Sequence, residues 1–112
     1  KLSYQRLFPE APDLEKEPRY HAIEGNSLEI PITKPIDFLF IDSGHTYDLT
    51  IGELTKYTPF VRKGGFICMH VTGVNNVNFV DCRRSMLDFT KDKGWEIKQL
   101  NNQNGLTIIR KI

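Results

Sequence analysis

The sequence is short of cysteine, of charge imbalance and of long apolar runs, and each shortage removes a class of protein. Two cysteines among 112 residues, Cys68 and Cys82, are too few for a disulfide-built scaffold, and their spacing matches no metal site. Cys68 lies in an apolar run and Cys82 on a predicted helix face. Such places suit reduced core thiols in a cytoplasmic protein, and a disulfide between the two stays open. Fifteen basic residues stand against 14 acidic ones, interspersed, for a net charge of +1. That balance leaves no electrostatic footprint for nucleic acid or for an anionic membrane surface. Arg62-Lys63 and Arg83-Arg84 read as solvated faces. No apolar run approaches the ~20 residues of a membrane span, and no signal peptide is visible. Because the chain begins with Lys1, targeting stays open. What remains is ordinary for a soluble domain: 39% apolar and 26% charged residues, enough chain to bury a core.

The apolar pattern alternates between strand and helix. Leu2, Leu7, Phe8 and Leu14 sit among charges broken by Pro9 and Pro12, which predicts a helix fragment and then a loop. Arg19 to Glu24 alternates loosely into Gly25-Asn26-Ser27, predicting a strand and a turn. Residues 28–35 connect. Ile36 to Ile41 is apolar except for Asp37, as expected of an interior strand of a parallel sheet. From Thr46, a ready N-cap, Tyr47, Ile51, Leu54, Tyr57 and Val61 recur at helical spacing, with Pro59 ending the helix. Lys63-Gly64-Gly65 then turns the chain into a second buried strand, residues 66–70. Residues 77–92 predict a second helix with the stripe Phe79, Cys82, Met86 and Phe89, widened by Val80 and Leu87 and ended by Gly94. Residues 95–100 and 106–110 are two strands around Asn104-Gly105, a hairpin signal. This is an α/β chain with a mostly parallel sheet and a C-terminal antiparallel hairpin.

Chemistry concentrates where the first of these buried strands ends. Asp42-Ser43-Gly44-His45 follows Ile41, and open α/β sheets bind ligands in the crevice beyond the carboxyl ends of their strands. A carboxylate and an imidazole three residues apart could there share a metal or a proton. His70 ends the next strand and could face the same crevice.

Asp37-Phe-Leu-Phe-Ile-Asp42-Ser-Gly-His45-Thr-Tyr47, a helix, and Pro59-Phe-Val-Arg-Lys-Gly64-Gly65-Phe-Ile-Cys-Met-His70 together resemble the C-terminal half of a Rossmann-like (class I) S-adenosylmethionine-dependent methyltransferase. The pattern is most similar to macrocin-type O-methyltransferases and cephalosporin-hydroxylase-like proteins. Ile23-Glu24-Gly25-Asn26-Ser27 is similar to that group's turn after its third strand, and the terminal hairpin fits its reversed last strand. The resemblance covers roughly residues 19–112. It departs in three places. The glycine-rich loop after the first strand and the ribose-holding acid after the second have no counterpart. Strand order in that fold is 3-2-1-4-5-7-6, so residues 1–112 read as a single domain lacking the first two strands, and more readily as part of a longer protein than as a truncated relative. Val71 stands where relatives carry an aspartate that helps hold a divalent cation.

Each candidate has a bland alternative. The resemblance implies that Asp42 orients the acceptor or a cation, yet an aspartate there also caps a turn. His45 suits the general base for a hydroxyl attacking a methyl group, since imidazole is the side chain that exchanges a proton near neutral pH, or it merely enters the helix. By the resemblance, Asn26 and Ser27 approach the cofactor's adenine while Ser43 and Gly44 line its pocket; the alternative for Asn26, Ser27 and Gly44 is turn chemistry. A magnesium-like cation would find Asp42 and His70, a poor cage for an ion that prefers several oxygens. Asp48 and Glu53 are expected to face water. The leading expectation is S-adenosylmethionine-dependent O-methylation of a small-molecule or carbohydrate hydroxyl, with no nucleic acid or membrane partner and oligomer formation left open. The alternative is a catalytically silent methyltransferase-like scaffold or partner-binding module. A metal-dependent hydrolase using Asp42, His45 and His70 ranks last, since no strong ligand motif is present.

Overall fold

The computed structural model describes residues 6–70, 72, 80–101 and 105–112. Its sheet has four strands in the order β1-β2-β4-β3: β1 (Ile36–Ile41), β2 (Val61–His70), β3 (Glu96–Leu100) and β4 (Leu106–Arg110). β1 and β2 are parallel, joined by helix α1 (Tyr47–Tyr57), while β4 runs antiparallel to both β2 and β3. Helix α2 (Val80–Thr90) leads from β2 to the hairpin. A parallel pair needs such a crossover, whereas the β3–β4 pair closes with a short loop at Gly105 (φ +87°). Asn104, half of the hairpin signal, lies outside the described residues.

The ends of α1 follow its sequence. Thr46 Oγ1 accepts from the Leu49 amide at 3.3 Å, capping the first turn. The helix stops at Tyr57, and Pro59 sits in a single 3-10 turn, Thr58–Phe60. Val61, expected on the helix stripe, instead opens β2 and is buried. Lys63-Gly64-Gly65, expected as a turn, lies inside that strand. Between the pairs Ile36–Val61 and Phe38–Phe66 the register shifts, so β2 carries extra residues there. Gly64 has φ +79°, and its amide donates to the Lys111 carbonyl at 2.6 Å, while the Lys111 amide donates to Gly65 O at 3.0 Å. A glycine pair absorbs the irregularity without ending the strand.

Alternation along the strands builds one core. Ile41, Ile67, Met69 and Ile109 point to the side carrying the helices, where Leu54 and Met86 meet them. Phe89 and Trp95 close the edge of this cluster, their rings 6.2 Å apart. Phe38 (59% exposed), Phe40 (53%) and Phe66 point the other way and are exposed. The interior-strand expectation for residues 36–41 is therefore half met: β1 is apolar on both faces but covered on one among the described residues. On α2, Cys82 and Met86 are buried as expected, whereas Val80 and Leu87 are exposed because they lie on the flank turned away from the sheet. Phe79 lies outside the described residues.

Residues 19–24 form no strand, and Ile23 is exposed. Loose alternation alone does not make a strand; it needs a ladder partner, and this segment pairs with none of the four strands. The stretch before it holds a 3-10 turn, Leu14–Lys16, capped by Asp13.

Candidate functional site

Parallel pairing of Ile41 with Met69 sets the next residue of each strand side by side at the carboxyl edge. These are Asp42 and His70, with Asp42 Oδ1 3.3 Å from His70 Nδ1. Both are partly exposed, at 41% and 37%. An ionised carboxylate can only accept, so the proton of this contact belongs on Nδ1, and Nε2 is left as the basic nitrogen. The fold thus joins Asp42 to His70.

His45 turns instead toward α2, its Nδ1 3.6 Å from the Sγ of Cys82. Burial pushes the Cys82 thiol above its ordinary range, helped by the negative charges of Asp81, Asp42 and Glu53 and opposed by a hydrogen bond with Thr50. Cys68 is raised by burial alone, and both thiols are free. The reduced-thiol expectation agrees with this. A raised thiol holds less thiolate at pH 8, and the thiolate is the nucleophile. Iodoacetamide at pH 8 should modify both cysteines about tenfold or more slowly in the folded chain than in urea. Equal rates would show that neither thiol is protected by the fold.

Beside Asp42 lies a hollow of about 570 Å³, bordered by Ser27, Phe40, Asp42, Ser43, Glu53 and Tyr57. That size lies in the range of small-molecule sites. Ser43 borders it. Its Oγ donates to Glu53 Oε1 at 2.5 Å, and Glu53 is only 4% exposed, contrary to its expected place in water. The signal was in the sequence: Thr50, Glu53, Leu54 and Tyr57 make a helical stripe in which glutamate takes a buried position. Asp48 is exposed as expected.

Ser27 lines the hollow too, but its carbonyl is the held group. Lys56 Nζ donates to it at 2.6 Å and Tyr57 Oη at 2.5 Å. Asn26 does turn chemistry, its Oδ1 accepting from the Leu28 amide at 2.9 Å. Gly44 is not among the lining residues; it lets its loop pack on α1, since a Cβ there would lie 2.5 Å from Leu49 Cδ2.

Among the described residues no group of three or more His, Cys, Asp or Glu converges on a metal position. Asp42 and His70 stand as a pair, and Val71 lies outside the described residues. A second hollow of about 580 Å³ lies on the open sheet face against Phe66, Lys98, Ile108 and Arg110. It holds none of Ser27, Asp42, Ser43 and His70 and lies on the side of the sheet that no described helix covers.

A sheet ordered β1-β2-β4-β3, with β4 reversed between its neighbours, corresponds to strands 4-5-7-6 of a Rossmann-like class I methyltransferase, and its polar residues gather at the matching carboxyl edge. The chain belongs to a methyltransferase-domain family, whose model matches residues 8–71. Among solved structures it is similar to a Staphylococcus aureus protein assigned as a caffeoyl-CoA O-methyltransferase, at 24% identity and a TM-score of 0.64 over 80% of this chain and 50% of that one. CalS11, a TDP-rhamnose 3'-O-methyltransferase of calicheamicin biosynthesis, aligns at 17% identity and a TM-score of 0.60, over 79% of this chain and 40% of its own. A Clostridium thermocellum protein assigned as an rRNA methylase aligns at 19% and 0.59, over 80% and 59%. This chain thus spans about half the length of these relatives. No curated protein matches it.

Proposed function

We propose that this chain forms the acceptor side of an S-adenosylmethionine-dependent O-methyltransferase acting on a small-molecule or sugar hydroxyl, with the strands that complete its sheet supplied by further sequence. The observation that supports it most is the Asp42–His70 pair at the carboxyl edge, whose Asp42 borders the hollow that Ser27 and Ser43 also line. Ser27, Ser43 and Asp42 offer oxygen acceptors and a hydroxyl donor there, which fits the polar groups of a nucleoside-bearing ligand. When bound, the donor supplies a methyl group on a positively charged sulfonium and leaves as a neutral thioether. The chain's own part is to hold and deprotonate the acceptor. Asp42 orients the His70 ring through Nδ1, and Nε2 takes the hydroxyl proton as the oxygen bonds to the methyl carbon. His45, the base expected from sequence, stays second because its Nδ1 is turned toward α2, 3.6 Å from the Cys82 thiol.

The acceptor class rests on two supports. The sugar methyltransferase among the similar structures acts on a hydroxyl of a sugar nucleotide, and the net charge of +1 gives little attraction for RNA. No helix is long and apolar enough to cross a membrane among the described residues. Two free thiols suit a reducing compartment, and a cytoplasmic location is proposed on that ground.

Calorimetry with S-adenosylhomocysteine tests the reading, on this chain and on any longer natural protein containing it. Binding with a Kd of about 1–100 µM, in the range of enzyme–substrate affinities, is the expected result for the longer protein. Folded protein that takes up no ligand in either form would leave the silent module as the better account.

A further inference from the structure

We infer that one face of α1 is a clamp that sets the width of the hollow, with Glu53 holding one wall and Lys56 and Tyr57 holding the other. The inference rests on the methyl-donor reading above for the ligand and on geometry alone for the clamp. Positions 53, 56 and 57 are three and four residues apart, so they share one side of the helix. On one wall the Glu53 carboxylate accepts from Ser43 Oγ at 2.5 Å, one residue beyond Asp42. On the other, Lys56 Nζ and Tyr57 Oη both donate to Ser27 O, at 2.6 and 2.5 Å. The same turn is pressed on the helix by Leu28, whose Cδ2 would lie 3.0 Å from a Cβ at Gly52.

Two loops distant in sequence are thereby tied to one rigid helix. A carboxylate 4% exposed in the middle of α1 costs desolvation, and a stability role alone would be met as well by a leucine in that stripe. What the carboxylate does that leucine cannot is hold the Ser43 hydroxyl. Since Ser43 adjoins Asp42, and Asp42 holds His70, the clamp also fixes the proton-handling pair. Glu53, Lys56 and Tyr57 are positioning residues in this account; none is asked to touch the reacting atoms.

Hydrogen exchange without ligand tests the clamp directly. In Glu53→Ala, amides of residues 43–45 should exchange about 2- to 10-fold faster, the effect of losing one hydrogen bond, while Ile67 and Met69 in β2 stay unchanged. Glu53→Gln keeps an acceptor for Ser43 and should restore parental exchange. Lys56→Met combined with Tyr57→Phe should speed exchange at residues 28–30 instead. Parental exchange in Glu53→Ala and in the double variant, or loss in Glu53→Gln equal to that in Glu53→Ala, would overturn the clamp. Faster exchange spread across β2 would overturn it too, by showing general destabilisation. S-adenosylhomocysteine affinity separates the two layers of the argument. About tenfold weaker binding in Glu53→Ala, with Glu53→Gln near the parent, supports a clamp that shapes the ligand site. If neither this chain nor the longer natural protein binds S-adenosylhomocysteine, the methyl-donor reading is removed and the exchange result is left to judge the clamp.

Discussion

Replacing His70 by alanine is expected to lower methyl transfer by about 10²- to 10⁴-fold, the usual contribution of a positioned general base. Affinity for S-adenosylhomocysteine should change less than about twofold, because the product carries no acceptor proton for His70 to receive. The expectation follows from the pairing of Asp42 Oδ1 with His70 Nδ1, which leaves Nε2 basic. Asp42→Asn supplies the companion test. An asparagine amide can donate to Nδ1, favouring the tautomer whose proton sits on Nε2, so turnover should fall as well while the ring remains. His45→Ala should keep turnover close to the parental rate. The measurement is single-turnover methyl transfer in the three variants, with ligand affinity measured in parallel. Loss confined to His45→Ala would restore the assignment expected from sequence and remove His70 from the chemistry.

Gly65→Ala is expected to cost about 2–3 kcal/mol, near the upper end for forced overpacking in a closed site. An added Cβ would lie 2.8 Å from Val61 Cγ1, 2.9 Å from Arg62 O and 3.0 Å from Asp37 O. Two of these neighbours are backbone carbonyls. The third belongs to a side chain 1% exposed, with no space to retreat. Gly65 also accepts from the Lys111 amide, so shifting its strand would break the tie to the C-terminal segment. A thermal midpoint about 10 °C lower is the expected reading for a domain of this size. A midpoint within about 2 °C of the parent would mean that β2 relaxes freely and that the close approach is not a constraint.

Gly65 also shows how far sequence carries. Gly-Gly before an apolar run marks a break in an element, and the break was expected as a turn. Whether it is a turn or an irregularity inside a strand depends on what lies alongside, here Asp37 in β1 and Lys111 beyond β4. Val61 was misplaced for the same reason. Its helical spacing from Tyr57 is real, but Pro59 had already ended the helix, and pairing with Ile36 drew Val61 into the sheet. Arg19 to Glu24 had loose alternation and no ladder partner, so it stayed irregular.

The site divides in the same manner. Asp42, Ser43 and His70 were placed at strand ends because apolar runs end there, and the carboxyl edge is where this class of sheet holds ligands. Spacing along the chain suggested Asp42 with His45, three residues away. The sheet joined Asp42 to His70, 28 residues away, since parallel register and not sequence distance decides neighbours at a strand edge. Glu53 was judged by residue type and expected in water, although its stripe with Thr50, Leu54 and Tyr57 points inward. Helical periodicity outweighed polarity there once Ser43 offered a hydroxyl.

By itself, then, the sequence determined the order and type of most elements, their start and stop signals and the family. All of these depend on local propensity and on apolar period, which are properties of neighbouring residues. Only the tertiary structure decided which strand ends meet, which acid is buried and which histidine a carboxylate holds. Those outcomes depend on pairing and packing between segments far apart in the chain, where no local pattern records the partner.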